Sequence, residues 1–362
     1  MILKSRLRSQ VLRIVCTALI LLAVGPIAGP LVLANDDAAT ETPANDSQQA
    51  DQVPRAITVA TWNVEWFFDH YKGDNRSEIS KKQSSPNAEE WAWKKKSVAR
   101  VIAEIKPTIL CLQEVENRDV VYQLRQQLES DHRLKYRYAF ISGYDFSTEQ
   151  DVAILYRAGL VEFSRREQSP EMYETKQYYN LSKHMFARFE WGQGEEKESL
   201  TIFNGHFRAR AEQRDLRKRQ ALLARKWLEE KIAAGENVIA TGDFNTEDDY
   251  GAETADGPVA IIRGTITESP ADDLLDANQY LPEDGRSTHI SGRQYDRVFY
   301  SRSLGEDDPD RKDLVFNRVI IRRDLVVQGT VDANHWDGLY DIPQSERDIS
   351  DHYPLVTEFV FK

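Results

Sequence analysis

ITVATWNVE, Ile57 to Glu65, is an alternating, β-rich run that ends in polar side chains. It reads as a first strand with chemistry at its tip. Five more short polar signatures follow in order: LQE (Leu112 to Glu114), NGH (Asn204 to His206), GDFN (Gly242 to Asn245), YDR (Tyr295 to Arg297) and SDH (Ser350 to His352). Each of them except YDR closes an apolar run. Together they deliver Asn, Glu, His and Asp side chains to strand ends. Oxygen donors of this kind select hard cations such as magnesium, manganese or calcium.

Glu114 closes an apolar strand. GDFN sets Asp243 and Asn245 two apart on a turn, with Gly242 allowing the tight backbone. The two side chains can then project to one side. A carboxylate beside a metal serves as a weak base or orients water. Asn245 can donate to a phosphoryl oxygen without adding charge.

The order and wording of the six motifs resemble the endonuclease/exonuclease/phosphatase superfamily, the deoxyribonuclease I-like hydrolases. The resemblance spans Ile57 to Phe361. It implies a four-layer α/β sandwich, two packed mixed β-sheets flanked by helices, with the site at one rim. It implies that Glu114 is the main metal ligand, that Asn63 ligates or orients, and that Glu65 and Asp351 sit at the metal edge. It also implies that His352 pairs with Asp296 and that His206 is a second active-site histidine. A carboxylate on one ring nitrogen fixes the tautomer and favours imidazolium opposite phosphate.

Arg208 and Arg210 follow His206 directly and are candidates for binding substrate phosphates. Arg214, Arg217, Lys218 and Arg219 continue the basic cluster, but on a helix where acidic neighbours can offset them. Trp66, Phe67, Phe68, Tyr71, Trp336 and Tyr340 are candidates for stacking on bases, with packing onto the domain as the plainer reading. His70, His132, His184, His289 and His335 belong to no constellation and read as surface or loop residues.

Working outward, residues 1–34 form a basic segment and an uncharged stretch ending at Val32-Leu33-Ala34, as in a signal peptide, or in an anchor if it is retained. Residues 35–55 are polar and read as a disordered linker; residues 56–362 form the catalytic domain. The 362-residue chain carries a formal charge of −12, and about −16 without the four basic residues of the leader. Such acidity argues against a polymer-coating nucleic-acid binder. It leaves room for an enzyme with a local basic groove. Cys111 lies in an apolar run and reads as a buried small hydrophobe.

Helices are expected at Glu89 to Ile105, Arg118 to Leu128 and Ala211 to Ala234 from apolar spacing. Strands are expected at Thr108 to Leu112, Val152 to Tyr156, Leu200 to Asn204, Val238 to Thr241, Val298 to Tyr300, Leu314 to Ile321 and Leu355 to Phe361. Phe67 to Ala88, Glu306 to Asp313 and Val331 to Arg347 read as polar surface loops.

The expected protein is a monomeric, secreted or periplasmic phosphodiesterase that uses Mg2+, with Mn2+ or Ca2+ as alternatives. It touches the membrane only through a retained leader. DNA is the leading substrate, with low sequence specificity. A lipid-headgroup or inositol-phosphate phosphoesterase of the same superfamily is the alternative. GDFNTEDD and QYDRVFY depart from the inositol-phosphatase wording. A non-catalytic binding protein would have no use for the intact acid, amide and histidine set.

Overall fold

A computed structural model of the chain describes residues 39–40, 54–194, 197–246, 256–310, 313–332 and 335–362. The expected leader lies outside the described residues, as does most of the expected linker. Within that linker, Ala39–Thr40 (β1) pairs with Arg137–Ile141 (β4). Among the described residues no helix is long and apolar enough to cross a membrane.

Two mixed sheets make up the domain. The first has the order β1-β4-β5-β3-β2-β13-β12. Its remaining strands are Ala56–Phe67 (β2), Ile109–Val115 (β3), Asp151–Tyr156 (β5), Leu314–Ile321 (β12) and Leu355–Phe361 (β13). The second has the order β10-β11-β9-β8-β7-β6. It comprises Leu160–Ser164 (β6), His184–Trp191 (β7), Glu198–His206 (β8), Val238–Asp243 (β9), Leu275–Asp276 (β10) and Asp296–Tyr300 (β11). Among the described strands only β2 with β3, and β8 with β9, run parallel.

Side-chain alternation explains the layers. Successive strand residues point to opposite faces. Ile57, Val59, Ile109, Cys111 and Ile154 from one sheet share a buried cluster with Ile202, Ile239, Val298 and Tyr300 from the other. These are the inner faces. Ala60, Trp62, Leu110 and Leu112 point the other way, onto the helices Ala88–Ile105 and Arg118–His132. Phe203, Ala240 and Phe299 likewise pack on the Arg214–Ala233 helix. Helix, sheet, sheet and helix make the four layers.

Following the inner faces along the chain locates the site. Ile57 and Val59 lead to Thr61 and Asn63. Ile109 and Cys111 lead to Gln113. Leu200 and Ile202 lead to Asn204 and His206, and Ile239 leads to Thr241 and Asp243. The apolar register turns polar at one rim. β11 and β13 run antiparallel to their neighbours, so their first residues reach the same rim: Asp296 pairs with Asp243, and Leu355 with Thr61.

Asn87 and Asn117 cap the first two long helices, each accepting two backbone N–H groups at the N-terminus. The helix expected from Ala211 opens instead with a short 3-10 turn at Ala211–Gln213. The α-helix begins at Arg214, because Arg210 stands at φ 78° and no side chain caps the start.

The expectations missed β4, β6 and β7 and the short helices Glu78–Gln83 and Pro258–Arg263. The stretch Phe67 to Ala88 is not all loop: Ser77 caps a helix inside it. Val331 to Arg347 is not all surface, since His335 and Arg347 are buried. Phe67 and Phe68 are fully buried, which excludes them as stacking platforms. The side chain of Trp336 lies outside the described residues.

Candidate active site

Backbone geometry sets the rim. Glu65, Trp66, Glu114 and Asn245 all take positive φ, from 44° to 61°, so three strand ends turn sharply where their polar residues emerge. Non-glycine residues hold such angles only when their surroundings impose them. At Gly242 a side chain is excluded outright. Its φ is 136°, and a Cβ there would stand 1.9 Å from the Gly205 carbonyl oxygen. That close approach lets β8 and β9 present His206 and Asp243 side by side.

Asn63 is the hub. Its Oδ1 accepts the Glu65 backbone N–H at 2.9 Å, which fixes the amide orientation. Its Nδ2 then donates to Glu114 Oε1 and Asp243 Oδ2, both at 3.0 Å. In this arrangement Asn63 orients the carboxylates. Glu114 Oε2 also accepts the Trp66 N–H at 3.0 Å. Burial and the neighbouring Asp351 push the Glu114 carboxyl up to about 7. Burial also raises Asp243.

Two histidines flank Asp243. His206 Nε2 lies 3.6 Å from Asp243 Oδ2 and 3.9 Å from Glu114 Oε1. Burial, Lys183 and His352 hold its pKa well below the usual value, so it is neutral. His352 is the opposite. Burial works against its charge, yet Asp296 and Asp243 overcome it and raise its pKa well above the usual value. Its Nδ1 bonds Asp296 Oδ2 at 2.7 Å, and its Nε2 lies 3.7 Å from Asp243 Oδ2. Two titrating groups driven apart in this way suit opposite roles in proton traffic.

Asn245 closes the GDFN turn. Its N–H donates to Asp243 Oδ1 at 2.8 Å and its Nδ2 to the Phe207 carbonyl at 3.1 Å. Asp351 lies beside the cluster, its carboxyl held below the usual range against burial by His352 and His289. Glu65 Oε2 accepts the Asp351 N–H at 3.0 Å and pairs with His335 Nδ1 at 2.6 Å. The structure thus shows Glu65 seating Asp351.

Glu114, Asp243, Asp351, His206 and His352 line one cleft of about 630 Å3, with Arg208, Arg210 and Asn245. Both arginines are exposed. Arg217, Lys218 and Arg219 of the basic cluster are engaged by other parts of the protein. Arg217 is buried and Nη1 donates to the carbonyls of Arg208 and Arg210 at 3.0 and 2.5 Å, fastening that loop. Lys218 pairs with Asp256, and Arg219 donates to the Tyr178 carbonyl.

Three histidines read as surface or loop residues stand elsewhere. His184 is buried and stacks on Trp227, 4.7 Å between ring centres. His289 lies in the cleft. Its Nδ1 accepts the Ser291 N–H, its Nε2 faces Asp351 Oδ2 at 3.3 Å, and its ring meets His352 edge-on at 4.6 Å. His335 is buried against Glu65. Lys183, paired with Asp145 at 2.9 Å, also lines the cleft. No local pattern marks His289, His335 or Lys183. His289 reaches the site through a bridge to His352, His335 through a helix that packs against Glu65, and Lys183 from the residue just before β7.

The acid-rich cluster fits a hard divalent cation. Buried carboxyl groups that resist ionisation alone ionise readily around one, and Glu114 and Asp351 supply the oxygen donors.

Residues 60–352 match the Endonuclease/Exonuclease/phosphatase family. The chain belongs to that family. Membership makes it a phosphoester hydrolase of a family that depends on divalent metal. A search of curated protein sequences found no match. Among solved structures, the fold is similar to the human Nocturnin catalytic domain with bound sulfate, at 18% identity and TM-score 0.53 over 85% of this chain and 94% of that one. It is similar to D. rerio TDP2 complexed with a single-strand DNA product, at 15% identity and TM-score 0.51 over 84% and 99%. It is also similar to an endonuclease/exonuclease/phosphatase from Bacteroides vulgatus, at 15% identity and TM-score 0.51 over 85% and 99%.

Proposed function

We propose that the chain is an exported, magnesium-dependent nuclease that hydrolyses DNA phosphodiester bonds with little sequence preference. The observation that carries this reading is the exposed pair Arg208 and Arg210 at the cleft edge, two residues and four beyond His206. In an acidic chain, this local positive rim is placed where phosphates flanking a scissile bond would run. The D. rerio TDP2 structure, with its single-strand DNA product, supports nucleic acid as a substrate class for the fold. Export rests on the N-terminal segment alone.

The residues divide the work. Glu114 and Asp351 would hold the cation, and a cation held there would offset negative charge on the phosphoryl oxygens. Asp243 orients the attacking water and accepts its proton. Asn63 holds Asp243 and Glu114 in register. His352, charged and fixed by Asp296, stabilises the negative charge that accumulates and gives its Nε2 proton to the leaving oxygen as the P–O bond breaks. His206, neutral, donates its Nε2 proton toward the phosphoryl oxygens. Asn245 holds the turn that carries Asp243.

A second reading is a lipid-headgroup phosphoesterase. Tyr144 and Phe146 favour it, exposed at 47% and 65% beside the cleft-lining Asp145 and Ser147. Salt dependence separates the two. A DNA duplex is bound with a non-hydrolysing metal, for wild type and for Arg208→Ala/Arg210→Ala. The variant is expected to lose about one phosphate contact per arginine from the salt slope. An unchanged slope, together with hydrolysis of sphingomyelin vesicles but not plasmid DNA, would establish the lipid reading instead.

A further inference from the structure

We propose that Asp332, His335 and Asp348 form a buried site for a divalent transition metal, zinc above all, distinct from the catalytic cleft. The ligand atoms of the three residues lie within 4.8 Å of one another. None of the three lines the cleft. The site would join Asp332 and His335 to Asp348 beside Glu65.

His335 supplies the deciding observation. It is 4% exposed, and its Nε2 is buried without a hydrogen-bond partner. Asp348 Oδ2 stands 3.9 Å from that nitrogen, beyond hydrogen-bond reach. A cation with bonds of about 2 Å to nitrogen and to carboxylate oxygen spans such a gap with little movement.

The two carboxylates are already aimed. Asp348 N–H donates to Asp332 Oδ2 at 2.7 Å, and Asp332 N–H donates to Asp348 Oδ2 at 3.0 Å. Gln328 N–H holds the other oxygen of Asp348 at 2.6 Å. On the far side of the ring, Nδ1 meets Glu65 Oε2 at 2.6 Å. A ligating histidine commonly donates its second N–H to a carboxylate, which fixes the ring and strengthens the ligand. Glu65 fills that place.

One imidazole and two carboxylates suit zinc or manganese better than magnesium, which keeps its water and avoids enclosed nitrogen-containing sites. The metal takes the place of a proton on Nε2, so the competing state is an imidazolium paired with the carboxylates.

The test uses the full chain, incubated with zinc in a large excess of magnesium, then desalted and analysed for metal. Wild type and Glu114→Gln are each expected to retain about one equivalent. Asp332→Asn, which keeps an oxygen for the Asp348 N–H, is expected to lose it. X-ray absorption on the zinc-loaded wild type should show a single imidazole, whether or not the variant folds. Three results would each overturn the site: no retained zinc, equal retention in a folded Asp332→Asn, or two imidazoles. Two imidazoles would put the zinc on His289 and His352 instead.

Discussion

At the scale of single residues, the chemistry depends on one hydrogen bond. His352 Nδ1 and Asp296 Oδ2 meet at 2.7 Å in a buried setting. His352→Ala is expected to lower kcat by about 10²- to 10⁴-fold. Adding Asp296→Ala should cost little more, because the pair acts as a unit; strictly multiplicative losses would separate them. The pH dependence has a definite sign. A histidine with a raised folded pKa adds stability that is complete below its unfolded value, and that stability is lost as pH rises through the raised one. Asp296→Asn removes the carboxylate that bonds the ring and supports that charge. Its kcat/KM profile should therefore lose its alkaline limb at lower pH than wild type.

At the scale of elements, the site depends on how closely β8 and β9 lie. Gly242→Ala would drive a methyl group into the Gly205 carbonyl oxygen at a φ that side chains avoid. The expected loss is about 3 kcal/mol or more, read as a lower midpoint in urea. A midpoint within error of wild type would show that the strands can part without cost. The loop after β8 is a second such element. Arg217 holds the carbonyls of both Arg208 and Arg210, so Arg217→Ala should destabilise the fold by about 2 kcal/mol. It should also raise KM for a polynucleotide more than it lowers kcat. The reverse split would place Arg217 in the chemistry rather than beneath the loop.

At the scale of the whole molecule, the two sheets converge on a rim rich in carboxylates, and that rim needs a cation. Chelation is expected to abolish hydrolysis, and magnesium or manganese to restore it, assayed on a generic phosphodiester. Stability should follow. Burial raises Glu114 from 4.5 to about 7, so the chelated protein binds a proton there that the unfolded chain does not. Its stability should fall as pH rises through that window. A bound cation removes this penalty. The gap in melting temperature between metal-loaded and chelated protein should therefore widen from pH 4.5 to 7, and a constant gap would place the metal away from Glu114.

The sequence by itself determined the strands that carry motifs, because an apolar run ending in Asn, Glu or Asp signals both a buried register and its polar end. β12 and β13 begin and end where their apolar runs do, and the two mixed sheets are those the family resemblance implies. β4, β6 and β7 were not legible. β6 is an edge strand with exposed and half-buried residues, and β4 and β7 carry no terminal motif. The tertiary structure alone brought His289 and His335 to the site. His289 meets His352 across a bridge, and His335 meets Glu65 across 270 positions of chain. It also separated the basic cluster, burying Arg217 beneath the loop and leaving Arg208 and Arg210 exposed at the cleft. Local pattern fixes which face of a strand a side chain takes. Contact between residues far apart in the chain depends on sheet pairing and layer packing, which no short stretch of sequence encodes.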